Sequence, residues 1–96
     1  MTLLDSMAIT HFEIVKDYII AITFADKKIQ VINFEPVIGV GWMQSLKKRE
    51  YFNQVFLNDV GNLEWPEGQD FNPEALYDWE NFEQAYIDDL NNQIAN

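Results

Sequence analysis

The sequence predicts an α+β fold: a three-stranded antiparallel meander, a short helix, a β-hairpin and a C-terminal helix in one small domain. Three observations support this class. Apolar residues alternate with a period of two between Ile9 and Phe34, as they do along half-buried strands. The stretch Leu57 to Tyr77 (LNDVGNLEWPEGQDFNPEALY) packs strand, turn and helix-start signals into quick succession. From Leu76 to Ile94 the apolar residues recur at three- and four-residue steps, the spacing of one helix face.

Taken in order, residues 1–8 read as a frayed leader. Ile9 to Lys16 is a first strand with Phe12 and Ile14 on one face and His11 on the other. Asp17 turns the chain into Tyr18 to Ala25, where Tyr18, Ile20, Ile22 and Phe24 share a face. Asp26-Lys27 is a tight turn, and Lys28 to Phe34 is the third strand, so short loops join a meander of local pairings. The opposite face carries Val15, Ile19, Ala21, Ile29 and Val31 and is also apolar. A sheet apolar on both faces needs two covers. The later helices supply one; the other is the C-terminal helix or a second copy in a homodimer.

Glu35 to Ser45 (EPVIGVGWMQS) reads as a connector, and Leu46 to Gln54 as a short helix with Leu46 and Phe52 inward and Lys47-Lys48-Arg49 in water. Val55 to Leu57 and Leu63 to Trp65 form a strand pair across the turn formers Asn58 to Asn62. Pro66 ends the second strand because it has no amide to give a ladder. Gly68 frees the backbone of the next loop. Asn72-Pro73-Glu74 then opens a helix with a cap, a first-turn proline and an acid near the positive helix end. Asn72 or Asp78 can cap the C-terminal helix, giving one long helix or two with a break near Asp78. The chain thus divides into a leader (1–8), a core (9–77) and a helical extension (78–96).

Composition narrows the function classes. The 96 residues are 48% hydrophobic and 15% aromatic, enough for one core and too apolar for a disordered chain. The absence of cysteine removes disulfides, thiolate metal sites and cysteine nucleophiles. The N-terminus has no basic start with a long apolar run, and no segment approaches the roughly 20 apolar residues a membrane helix requires. A cytoplasmic location, with no membrane partner, is the expectation. Net charge is −10 and unevenly placed: six acids balance all six bases up to Glu50, while Tyr51 to Asn96 holds ten acids and no base. Phosphate backbones repel such a half, so direct nucleic-acid binding is not expected.

Phe24, the spacing of Leu46 to Phe52, and Gly61-Asn62-Leu63-Glu64-Trp65-Pro66-Glu67-Gly68-Gln69-Asp70 leading to Pro73 and Leu76-Tyr77 carry a resemblance. The chain resembles the domain-of-unknown-function family 2442 (DUF2442) over about residues 9–77. The resemblance implies a small α+β domain, found alone or joined to a helix-turn-helix domain. It also implies relatives encoded beside small partner proteins in modules suspected of toxin–antitoxin behaviour. It transfers no catalytic residues. The chain departs from the family at Asp26-Lys27, where Asp-Gly is usual and a different turn is implied. It also departs in its 19 residues beyond Tyr77, an extension too short and acidic to read DNA.

The candidates for chemistry are few. His11 is the sole histidine, which rules out a histidine metal cluster and leaves a triad without partners. Asp70, Glu74 and Asp78 would align on a continuous helix as a cation face, but Pro73 starts the helix after Asp70. Asp70 is instead expected to tie down the glycine loop through backbone hydrogen bonds. Glu80, Glu83, Asp88 and Asp89 form the wet side of the last helix. No phosphate loop, nucleophile elbow or dinucleotide fingerprint is present, and no enzyme activity, cofactor or metal is expected. Trp42, Trp65, Asp70 and Tyr77 are the candidate interaction residues, because aromatics anchor binding sites as well as cores. The leading expectation is a non-catalytic protein-binding or regulatory protein, the acidic member of a two-gene module with a basic partner. The alternatives are a small-molecule or metal site at the Trp65–Tyr77 loop, and an acidic nucleic-acid mimic.

Overall fold

The computed structural model describes residues 7–39 and 41–95, with the side chains of Trp42, Gln93, Ile94 and Ala95 outside the description. Strands β1 (Ile9–Lys16), β2 (Ile19–Phe24) and β3 (Ile29–Asn33) form an antiparallel sheet in the order β1-β2-β3. Pairing sets Phe12 against Ile22, Ile14 against Ile20, and Ile20 against Ile32, so these side chains share one face. The other face carries the rows His11–Thr23–Ile29 and Glu13–Ala21–Val31. A one-residue bulge between Ile14 and Lys16 displaces Val15 and leaves it exposed. This is the meander and the partition of faces that the alternation predicts.

The β2–β3 turn holds a left-handed residue at the second position of Asp26-Lys27. Lys27 takes φ of 79°, a conformation that glycine adopts freely and a Cβ resists. Asp26 Oδ1 accepts the Lys28 amide and closes the turn. Asp26-Lys27 thus builds a left-handed turn without glycine.

Two residues of the expected leader are held by the fold. Met7 is buried, and the Ala8 carbonyl accepts the Ala25 amide at 2.8 Å. Met7 and Ala8 are thus docked; the rest of the expected leader, residues 1–6, lies outside the described residues.

Two 3-10 turns, Glu35–Val37 and Gly41–Lys47, occupy the expected connector and the first two residues of the expected short helix, which shrinks to α1 (Arg49–Phe52). Proline and glycine removed the periodic signal that would have revealed the turns. Leu46 and Phe52 nevertheless point inward and are fully buried. Tyr18 anchors the second 3-10 turn, its hydroxyl donating to the Lys47 carbonyl.

Strands β4 (Phe56–Leu57) and β5 (Leu63–Glu64) form the hairpin, which abuts β1 where the Ile9 amide meets the Gly61 carbonyl at 2.8 Å. Helices α2 (Pro73–Tyr77) and α3 (Trp79–Ala95) come next, separated at Asp78, which settles the alternative left open by two capping candidates. Leu76, Trp79 and Leu90 are buried, with Phe82 and Tyr86 half-buried, as the helical spacing requires. Among the described residues no helix is long and apolar enough to cross a membrane.

The core lies between the inner sheet face and the corner with its helices. Ile20, Ile22, Phe24 and Phe34 are fully buried, and Phe34 packs on Phe71, Phe52, Trp65 and Trp79 with centroids 5.0 to 6.3 Å apart. Helix α3 packs on α2 and the first 3-10 turn, on the inner side of the molecule. It does not provide the second cover. Val15, Ile29 and Val31 on the outer face remain 52%, 62% and 65% exposed.

Candidate functional site

The corner from Trp65 to Tyr77 joins hairpin to helices, and its order comes from a few polar contacts. The Trp65 amide donates to the Gln69 carbonyl and the Gly68 amide to the Trp65 carbonyl, closing a tight loop in which Gly68 has φ of 98°. The Tyr51 hydroxyl donates to Gln69 Oε1 and accepts the Glu67 amide, both at 2.7 Å. Asn62 Nδ2 donates to the Phe71 carbonyl at 2.7 Å from inside the core. Asn72 Oδ1 accepts the Glu74 amide at 2.9 Å, with Pro73 at the first helical position, as the sequence predicts for this N-cap.

The structure gives three of the four candidate residues separate places. Trp65 is fully buried, its Nε1 donating to the Phe52 carbonyl at 2.8 Å, so it is a core residue with a satisfied polar tip. The Trp42 side chain lies outside the described residues. Tyr77 fastens the end of α2 to the sheet. Its ring stands edge-on to Phe24, Lys28 Nζ lies 4.2 Å from its centroid, and its hydroxyl donates to Asp26. Its carbonyl accepts from Lys28 Nζ and Gln30 Nε2, both at 2.7 Å. The bond to Tyr77, then the Lys28 amide, holds the Asp26 carboxyl below its usual pKa; the same bond pushes the Tyr77 hydroxyl up.

Asp70 differs from its expected role. Among the described residues its carboxylate makes no hydrogen bond or ion pair, and Gln69, Tyr51 and Asn62 order the loop instead. Asp70 is placed by an antiparallel bridge to Glu64 on the edge of β5 away from β4. Partial burial, then the Glu64 charge, raises its pKa above the usual carboxylate value. The carboxylate opens onto a cavity of about 220 Å³. Val37, Met43 and Leu90 supply its apolar lining, while Asp70, Asp89, Asn72 and Tyr86 supply the polar one. Burial raises the Tyr86 pKa, opposed by a hydrogen bond with the Asn72 backbone and reinforced by the Asp70 charge.

Four segments build this cavity, and only Asp70 among its residues was a sequence candidate. Tyr86, Asp89 and Leu90 share one side of α3, so the helical spacing held part of the signal. The 3-10 turns that bring Val37 and Met43 held none. Among the described residues no group of three or more histidine, aspartate or glutamate side chains could hold a metal ion.

These features define a small acidic α+β domain with a sheet on one side and a polar-lined corner on the other. The chain belongs to the family described as protein of unknown function (DUF2442), whose model matches residues 9–82. The match reaches five residues past Tyr77 into α3, so it includes Trp79, whose buried ring packs on Phe34 and Phe71. No curated protein and no solved structure matches the chain.

Proposed function

We propose that the chain is a non-catalytic protein-binding, regulatory protein whose acidic second half docks a basic partner, as the acidic member of a two-gene module. One observation carries this reading. The two ion pairs among the described residues, Lys47–Glu35 and Arg49–Asp17, join bases of the first half to acids of the first half. The second half holds ten acids and no base of its own, and Glu67, Glu80 and Asp88 stand exposed along the corner and α3. A basic surface would meet this acidic side with little competition from the chain's own cations.

The test compares wild type with a variant carrying Glu80→Gln, Glu83→Gln and Asp88→Asn on α3. Each is captured with its bound proteins from the native host at about 50 mM salt and eluted at about 300 mM. The expected result is a basic partner on wild type that the high-salt step releases and the variant fails to retain. No partner, or equal retention by the variant, would remove the proposal.

The cavity favours a second reading. The Asp70 side chain beside an apolar lining of Val37, Met43 and Leu90 suits a small organic cation with an apolar stem. Thermal melting with millimolar n-butylammonium checks it: a rise lost in Asp70→Asn supports a ligand site, and no rise removes it.

A further inference from the structure

We propose that the outer face of the β1–β2–β3 sheet, centred on Ile29 and Val31, is a self-association surface that docks on the same face of a second copy of this chain. Ile29 and Val31 are more than 60% exposed on adjoining rows of the face, next to half-buried Ile19, Ala21 and Thr23 on the central strand. They belong to a regular strand, so their exposure is not that of a loop tip. The helices pack on the inner face, where Tyr77 meets Phe24 and Gln30, and leave the outer rows open.

Charge selects the occupant. The outer face carries Glu13 and Lys16 on β1, one acid and one base, and no charged residue on β2 or β3. Eight of the ten second-half acids, from Glu67 to Asp89, lie on the corner and helices beyond the inner face. A basic partner finds its attraction there, whereas on the outer rows the one acid, Glu13, is offset by Lys16. A second copy meets an almost neutral face, with the acidic halves directed outward and apart. At physiological ionic strength the Debye length is about 8 Å, so repulsion across the sheets is largely screened.

The edge strand agrees. Within Ile29–Asn33, β3 has no lysine, glutamate or proline, the residues that usually discourage contact at a sheet edge. Size sets the strength. Three strands about 4.8 Å apart and about 17 Å long offer roughly 250 Å² of flat face, well below the ~800 Å² per partner of a standard interface. The pair is accordingly weak and reversible, with a dissociation constant of about 10 µM to 1 mM.

Analytical ultracentrifugation from about 5 µM to 1 mM in about 0.15 M salt tests the surface. Wild type is expected to rise with concentration from its 11.3 kDa monomer mass toward twice that value. Val31→Glu and Ile29→Lys, at positions too exposed to endanger the fold, should each weaken association at least ~10-fold, with unchanged far-UV circular dichroism. Val60→Glu, at a hairpin tip that is 82% exposed, should behave as wild type. Wild type remaining a monomer at the highest concentration would overturn the proposal. Association abolished by Val60→Glu but retained by both sheet variants would overturn it as well.

Discussion

The two faces of the three-stranded sheet are made from similar residues and meet opposite fates. On the inner face Ile20, Ile22 and Ile32 are buried to within 1%. On the outer face Ile29 and Val31, a short step away in the same sheet, are mostly in water. Strand propensity and alternation assign a residue to a face, and they act alike on both. Coverage is decided by where the later chain is sent. The corner sends both helices to the inner side, stapled there by Tyr77 on the sheet and by Trp65 and Phe71 in the core.

The contrast between the faces breaks most forcefully at Trp65. Trp65→Ala removes the largest fully buried side chain and the bond to the Phe52 carbonyl, and should cost about 3–5 kcal/mol in urea unfolding. Val31→Ser on the outer face should cost under about 0.5 kcal/mol for the monomer. Equal losses would mean that the outer face is covered after all.

Asn72→Ala attacks the corner itself. Losing the cap on the Glu74 amide should lower stability by about 1 kcal/mol, seen in the same unfolding curves. No change would show that helix α2 is held by Tyr77 alone.

Asp70→Asn has the smallest expected effect and the opposite sign. The folded pKa of Asp70 is raised, so its contribution to stability is complete below the unfolded value of 3.8 and is lost as pH rises through the folded value. At pH 7 the ionised carboxylate is therefore a burden. Asn should raise the melting temperature slightly there, with the gain vanishing near pH 3. A loss of stability at pH 7 would instead show that the carboxylate holds the loop.

Much of the fold was legible because its signals are local. Alternation placed all three strands within a residue or two, and Asn72-Pro73-Glu74 marked a helix start that the structure reproduces. The covered face was not legible, since Ile29 and Ile32 are equally apolar as letters. Trp65 read first as a core residue and stayed among the binding candidates, because the indole bond to the Phe52 carbonyl that ties it into the core spans thirteen positions. The cavity was hidden for the same reason: Val37, Met43, Asp70 and Tyr86 meet only in three dimensions. Asp70 was singled out for its place beside a glycine loop, and its actual setting depends on Glu64 and α3.

This chain covers one face of its sheet and leaves the other open. Methyl NMR in the presence of a soluble paramagnetic agent reads that directly, at a concentration low enough to keep the protein monomeric. The Ile29 and Val31 methyls should relax strongly, while those of Ile20, Ile22 and Ile32 stay shielded. Shielding of Ile29 and Val31 equal to that of Ile20 in the monomer would contradict the account.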